Sequence, residues 1–135
     1  METLPPNLLE QLRSARENAY APYSHYHVAA LIECPDGSRF VGCNVETAHY
    51  KSICAEASAI SAMVAAGRTR IRQVWVLGGG DEPCPPCGDC RQRLFEFSDE
   101  HTEVHLVDAD GRIHRSEPIG HLLPGAFRLN PEASA

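Results

Sequence analysis

Three cysteines at equal intervals, Cys84, Cys87 and Cys90, stand in the stretch Pro-Cys-Pro-Pro-Cys-Gly-Asp-Cys, residues 83–90. Thiolates bind zinc, and two cysteines three apart on the first turn of a helix can turn both sulfurs toward one point. A further cysteine, Cys54, opens the segment Cys-Ala-Glu, with Glu56 two positions on. Both segments stand at the start of a predicted helix. Unpaired N–H groups and the positive dipole end there favour thiolate over thiol. Cys54, Cys87 and Cys90 would supply three zinc ligands and leave the fourth position open, as catalytic zinc sites do. Glu56 beside a zinc-bound water is a candidate general base. Residues two apart diverge on a helix, so Glu56 reaches the metal only if the first turn meets it end-on. The competing reading is a closed structural site with Cys84 as fourth ligand. Pro85 and Pro86 oppose it: neither has an N–H to donate to thiolates, and a closed site has no use for Glu56.

The elements that must position these residues read off the hydrophobic pattern. Leu8, Leu9, Leu12, Ala15 and Ala19 have helical spacing, which predicts a first helix over 5–20, ending near Ala21-Pro22. Residues 27–34 and 39–46 are strand-like runs around the turn Pro35-Asp36-Gly37-Ser38. Residues 54–67 form an Ala-rich helix stopped by Gly67, and 71–79 a buried strand. A third helix covers 88–97. Residues 103–115 read as strand, turn at Ala109-Asp110-Gly111, and strand, before a short helix near 119–124 and a loose tail from about 130. The order α-β-β-α-β-α-β-β-α predicts one α/β domain over 1–135. Its architecture is a three-layer α-β-α sandwich with a mixed sheet of about five strands, parallel crossovers in the middle and antiparallel hairpins at the edges.

Composition narrows the partners. The chain of 135 residues suits one domain with a real core. No apolar run approaches the roughly 20 residues of a membrane helix, and no secretory signal opens the chain. A cytoplasmic location follows, where thiols stay reduced and six cysteines point to metal or catalysis rather than disulfides. Twelve Lys and Arg against eighteen Asp and Glu give a net charge of −6, which disfavours nucleic acid as partner.

With Cys-x-Glu followed by Pro-Cys-x-x-Cys, the chain carries the cysteine version of a zinc deaminase pattern. It resembles the cytidine deaminase family in its small homotetrameric form. The resemblance runs through residues 19–32, Gly-Cys-Asn-Val-Glu-Thr-Ala-His-Tyr (42–50), both metal segments and Leu-Leu-Pro-Gly-Ala-Phe (122–127). It implies one Zn²⁺ per chain on Cys54, Cys87 and Cys90, zinc-activated water attacking C4 of cytosine, and Glu56 carrying protons to N3 and the leaving ammonia. Asn44 and Glu46 would bind the sugar, and Tyr26, in place of a usual phenylalanine, would pack near the nucleoside. Phe127 would reach a neighbouring subunit's site in a homotetramer. The family commonly has arginine directly after Cys-Ala-Glu, offsetting the thiolates. Here the residue is Ala57, which leaves Arg91 or the helix N-termini to compensate. Asp89 replaces a common small residue, Ala29 a glycine, and His25, His27 and His49 other residues. These departures bear on the substrate more than on the reaction.

Each assignment has a plainer competitor. Without the resemblance, Glu56 is a charge suited to a helix start, and Asn44 and Glu46 a polar strand end. The three histidines could form a second metal site but read better as surface groups. Cys34 and Cys43 read as small core residues, and Ile60, Met63 and Val64 as a core face. Arg68, Arg70 and Arg72 mark a solvated helix end. The function expected is zinc-dependent deamination of cytidine or deoxycytidine, a small nucleoside rather than a membrane or polynucleotide partner. Alternatives are a deaminase of a modified cytosine nucleoside, such as a blasticidin-like antibiotic, a non-catalytic zinc-stabilised nucleoside-binding domain, and action on a base within a polynucleotide.

Overall fold

The computed structural model describes residues 2–129, so the tail expected from about residue 130 lies outside the described residues. The elements follow the predicted order: α1 (Pro6–Glu17), β1 (Ala29–Glu33), β2 (Arg39–Cys43), α2 (Ala55–Ala65), β3 (Gln73–Leu77), α3 (Gly88–Glu96), β4 (Glu103–Val107), β5 (Ile113–Pro118) and α4 (Ile119–Leu122). Pro6 presets the first turn of α1, where its missing N–H costs nothing. The helix ends earlier than its spacing predicts, because Tyr20 is drawn into pairing with the chain after β2. Its N–H donates to the Asn44 carbonyl at 3.0 Å, and its carbonyl accepts from the Glu46 N–H at 2.8 Å. Gly37 and Gly67 both take left-handed backbone, closing the first hairpin and ending α2 as expected.

Sheet order is β2-β1-β3-β4-β5. Among these neighbours only β3 and β4 pair in parallel; β1 is antiparallel to both β2 and β3. The parallel middle expected from the element order is therefore interrupted. Strands β2 and β3 point the same way but β1 lies between them, so α2 crosses over β1 before the chain reaches β3. The consequence is functional: α2 and α3 both begin at the same end of the sheet, beyond the carboxyl ends of β2 and β3.

Helix α1 covers one face through Leu8 and Leu12, packed with Leu31, Trp75, Leu77 and Val107. Helices α2, α3 and α4 cover the other, with Ile32, Ala59, Met63, Val76, Leu94, Val104 and Ile119 among the core residues. This is the three-layer sandwich predicted. Cys34 and Ile60 are core, but Val64 is 43% exposed and Cys43 only partly buried, so the apolar face of α2 is narrower than its composition suggests. No helix among the described residues is long and apolar enough to cross a membrane.

Opposite the helix starts, Glu33 at the end of β1 accepts from Arg39, Arg72 and Gln73. Burial alone would raise its carboxyl, but these hydrogen bonds outweigh burial and hold it below the ordinary value. At the other end α2 lies so close on β2 that a Cβ on Gly42 would stand 2.4 Å from the Ala59 nitrogen and 2.8 Å from the Ala55 carbonyl oxygen. Those neighbours are backbone and have little room to yield. Replacing Gly42 by alanine is expected to cost about 1–3 kcal/mol of stability. It should also lower bound metal, because α2 carries Cys54 as it moves; thermal unfolding and metal analysis read the two effects.

Candidate active site

Cys54 caps α2 and Cys87 caps α3, both in extended backbone, and Cys90 lies in the first turn of α3. Neither cap spends its side chain on a capping hydrogen bond, so both sulfurs are free to face the gap between the helix ends. The three sulfurs lie within 4.8 Å of one another, with Cys54 and Cys87 at 3.8 Å. Tetrahedral zinc with bonds near 2.3 Å requires sulfurs about 3.8 Å apart, so the donor set fits the ion. Cys90 is buried, Cys54 half-buried and Cys87 exposed, which leaves a solvent side for a further ligand.

Cys54, being outside the helix proper, turns its sulfur across the helix end, which lets Glu56 serve the same corner despite the two-residue spacing. Glu56 is 4% exposed. Burial raises its carboxyl, partly countered by its own backbone N–H and the Cys90 thiol. Burial also pushes Cys54 up to about 11, opposed by its hydrogen bond with Cys90 and reinforced by Cys87 and Glu56. Cys90 goes far higher, by burial first and then the charges of Glu56, Cys54 and Cys87. Four acidic groups here cannot ionise together without a cation. That is the electrostatic form of a metal site.

Cys84 stands outside this cluster, as its two prolines suggested. It is not idle: burial raises its thiol, the neighbouring Tyr26 hydroxyl counters that, and Glu56 and Cys87 add to the rise through space. Gly78 makes room, since a Cβ there would meet the Cys84 Cβ at 2.5 Å and the Tyr26 hydroxyl at 2.9 Å. The run of glycines at 78–80 permits this close approach. Arg91, one of the groups expected to offset the thiolates, donates to the carbonyls of Pro86 and Leu122 at 2.8 and 2.9 Å. It ties the cysteine loop to α4.

Asn44 and Glu46 lie at the end of β2 and hold the segment that carries Tyr26. Asn44 Oδ1 accepts from the Val28 N–H at 2.9 Å, and its Nδ2 donates to the Tyr26 carbonyl at 2.8 Å. Glu46 Oε1 accepts from the Tyr23 and Ser24 N–H groups at 3.0 and 3.1 Å, and Oε2 accepts from the Ser24 hydroxyl. The Ser24 hydroxyl and then its N–H lead in holding the Glu46 carboxyl below its usual range. His25, next in chain, takes φ 59°, a left-handed conformation that these bonds stabilise. Ser24 was not singled out by sequence reasoning, since nothing local links it to Glu46. Phe127 is 68% exposed, with its carbonyl fixed to α3 by Gln92 Nε2 at 2.9 Å. No second group of three His, Cys, Asp or Glu converges among the described residues, so His25, His27 and His49 build no further metal site.

The family description "cytidine and deoxycytidylate deaminase zinc-binding region" matches residues 5–106. Cytidine deaminase of Halalkalibacterium halodurans is 38% identical over 121 residues, 89% of this chain and 91% of that protein. Cytidine deaminase of Sporosarcina psychrophila is 36% identical, over 89% and 88% respectively. The crystal structure of cytidine deaminase from Burkholderia pseudomallei superposes with a TM-score of 0.83 at 40% identity, covering 92% of this chain and all of that one.

Cys84→Ser should keep about one zinc per chain, whereas Cys87→Ser should lose most of it, as metal analysis would report. Because the Cys54 and Cys90 thiols are raised, binding must displace their protons. With all three cysteines binding as thiolates, zinc affinity should fall about a thousandfold for each unit the pH drops between about pH 7 and 6, measured by chelator competition.

Proposed function

The chain belongs to the cytidine and deoxycytidylate deaminase family, and from that premise we infer that it is a zinc-dependent hydrolase. It converts cytidine or deoxycytidine to uridine or deoxyuridine and releases ammonia. The observation that carries this reading is the convergence of Cys54, Cys87 and Cys90 beside the buried Glu56.

Zinc, when bound, supplies Lewis acidity that makes water nucleophilic near neutral pH. The protein's residues do the rest. The buried site lifts the Glu56 carboxyl, so that it exchanges a proton more readily than an exposed glutamate. In this reading Glu56 takes a proton from the water that adds to C4, gives it to N3, and later delivers a proton to the departing amino nitrogen. The C4–O bond forms and the C4–N4 bond breaks. Asn44 and Glu46 face the sugar while anchoring the Tyr23–Val28 segment. A carboxylate offers about four lone-pair sites and an amide nitrogen donates twice, so both keep capacity for sugar hydroxyls. Tyr26, fixed from below by Cys84, walls the base pocket.

The assembly we propose is a homotetramer in which Phe127 enters a neighbour's site. Its support is the exposure of Phe127, Tyr50, Ile53 and Leu129, an apolar surface that a lone chain leaves in water. The place we propose for the reaction is pyrimidine recovery in the cytoplasm, supported by six unpaired thiols that need a reducing compartment.

Glu56→Gln should retain about one zinc per chain yet lose about a hundredfold to ten-thousandfold in turnover of cytidine, followed by loss of its ultraviolet absorbance. Full activity in that variant would defeat the proton-transfer role. For the wild type, kcat/KM should decline on the acid side through an ionisation lying above the ordinary glutamate value, since the base must be charged to accept its proton. A panel of cytidine, deoxycytidine and N4-substituted cytidines on one preparation would separate the natural nucleoside from a modified one.

A further inference from the structure

Zinc held by three thiolates carries a net negative charge, and Glu56 adds a buried carboxyl beside it. The helix starts contribute partial positive charge, but a full countercharge needs a cation. Arg91 is committed to two backbone carbonyls. Arg93 is placed differently. It follows Cys90 by three residues, hence on the same side of α3. Its Nε donates to Asp89 Oδ2 at 3.0 Å, so the side chain runs back toward the start of the helix where the cysteines sit.

There Arg93 lines a groove of about 370 Å³ between α2 and α3, with Ala57 and Ser61 across from it and Asp89, Gln92 and Glu96 on its own helix. Ala57 directly follows Glu56 and extends no further than Cβ, so the first turn of α2 leaves the groove open to the guanidinium. The Arg93 guanidinium is stabilised first by Asp89, and further by the charges of Cys90 and Cys54. On that turn of α3 the guanidinium offers a positive charge to the thiolates at the start of the helix.

We propose that Arg93 is the countercharge of the metal centre, offsetting the negative charge of zinc-bound Cys54, Cys87 and Cys90 from the groove beside Ala57, with Asp89 as an opposing charge that weakens the effect. The proposal rests on those three cysteines being the zinc ligands. Its plain competitor is an exposed i,i+4 ion pair that braces α3 and does nothing to the metal.

The two differ in what each partner's loss does. As a countercharge, Arg93 helps the metal and Asp89 partly cancels it; as a brace, the two residues act alike. The test follows zinc release from the purified holoenzyme to a chromophoric chelator at constant pH and salt. Arg93→Gln should release zinc about tenfold faster than wild type. Arg93→Lys, which keeps the charge, should stay near the wild-type rate, and Asp89→Asn should be equal or slower. Release from Arg93→Gln at the wild-type rate would overturn the proposal. So would Asp89→Asn or Arg93→Lys releasing zinc as fast as Arg93→Gln. Should Arg93→Gln not fold, Asp89→Asn or Arg93→Lys releasing zinc about tenfold faster than wild type would still overturn it. Retention of full zinc by Cys87→Ser would instead overturn the ligand set beneath it, a separate and distinguishable failure.

Discussion

Three sulfurs and a carboxyl share one corner of the sheet, close together and largely out of water. Ionised together they repel; protonated they can neither hold a metal nor accept a proton. A divalent cation reconciles them, and much of the fold can be understood as what that bargain requires. Two helix starts must meet, so that their free N–H groups face the anions. In the function proposed, one carboxyl must stay dry enough to trade its proton, and one side, at Cys87, must stay open for water and substrate. Cys90 at the bottom and Cys87 at the mouth satisfy the last two demands within a single turn of α3.

The sheet makes that meeting possible. Because β1 is slotted antiparallel between β2 and β3, the chain leaves both β2 and β3 at the same end and enters a helix each time. Helix α2 then sits close enough on β2 that only glycine serves at position 42. The far end of the same three strands is tied by Glu33, which draws on Arg39 from β2, Gln73 from β3 and Arg72 just before it. A charge cluster at one end and a metal centre at the other bracket the strands that set the helix spacing.

A second polar network orders the chain that follows α1. Asn44 and Glu46 spend hydrogen bonds on the backbone between Tyr23 and Val28, a stretch with no regular structure of its own and a left-handed residue in its middle. Such a segment would otherwise be free to wander. Held this way, it delivers Tyr26 to Cys84, beside the metal cluster. In the function proposed, the same residues build the pocket wall and meet the sugar, which makes the wall's position sensitive to whatever the sugar presents.

The sequence by itself determined the element order, the cysteines at the two helix starts and the position of Glu56. Each is encoded locally: hydrophobic period, a glycine that ends a helix, and thiols at helix starts carry their meaning within a few residues. Tertiary structure decided the rest, where partners lie far apart in the chain. The insertion of β1 between β2 and β3 leaves no trace in any strand's own pattern, since buried strands on either side of it read alike. Helix α1 stops short because Tyr20 finds Asn44, which no spacing within the helix reports. Val64 has the composition of a core residue yet stands in water, because α2 turns another stripe toward the sheet. Arg91 and Arg93 are two positions apart on one helix and equally cationic. Their different surroundings, two carbonyls for one and the open groove at Ala57 for the other, exist only once α2, α3 and α4 are packed. Residue type and spacing specify which chemistry is available; packing specifies where each charge is aimed.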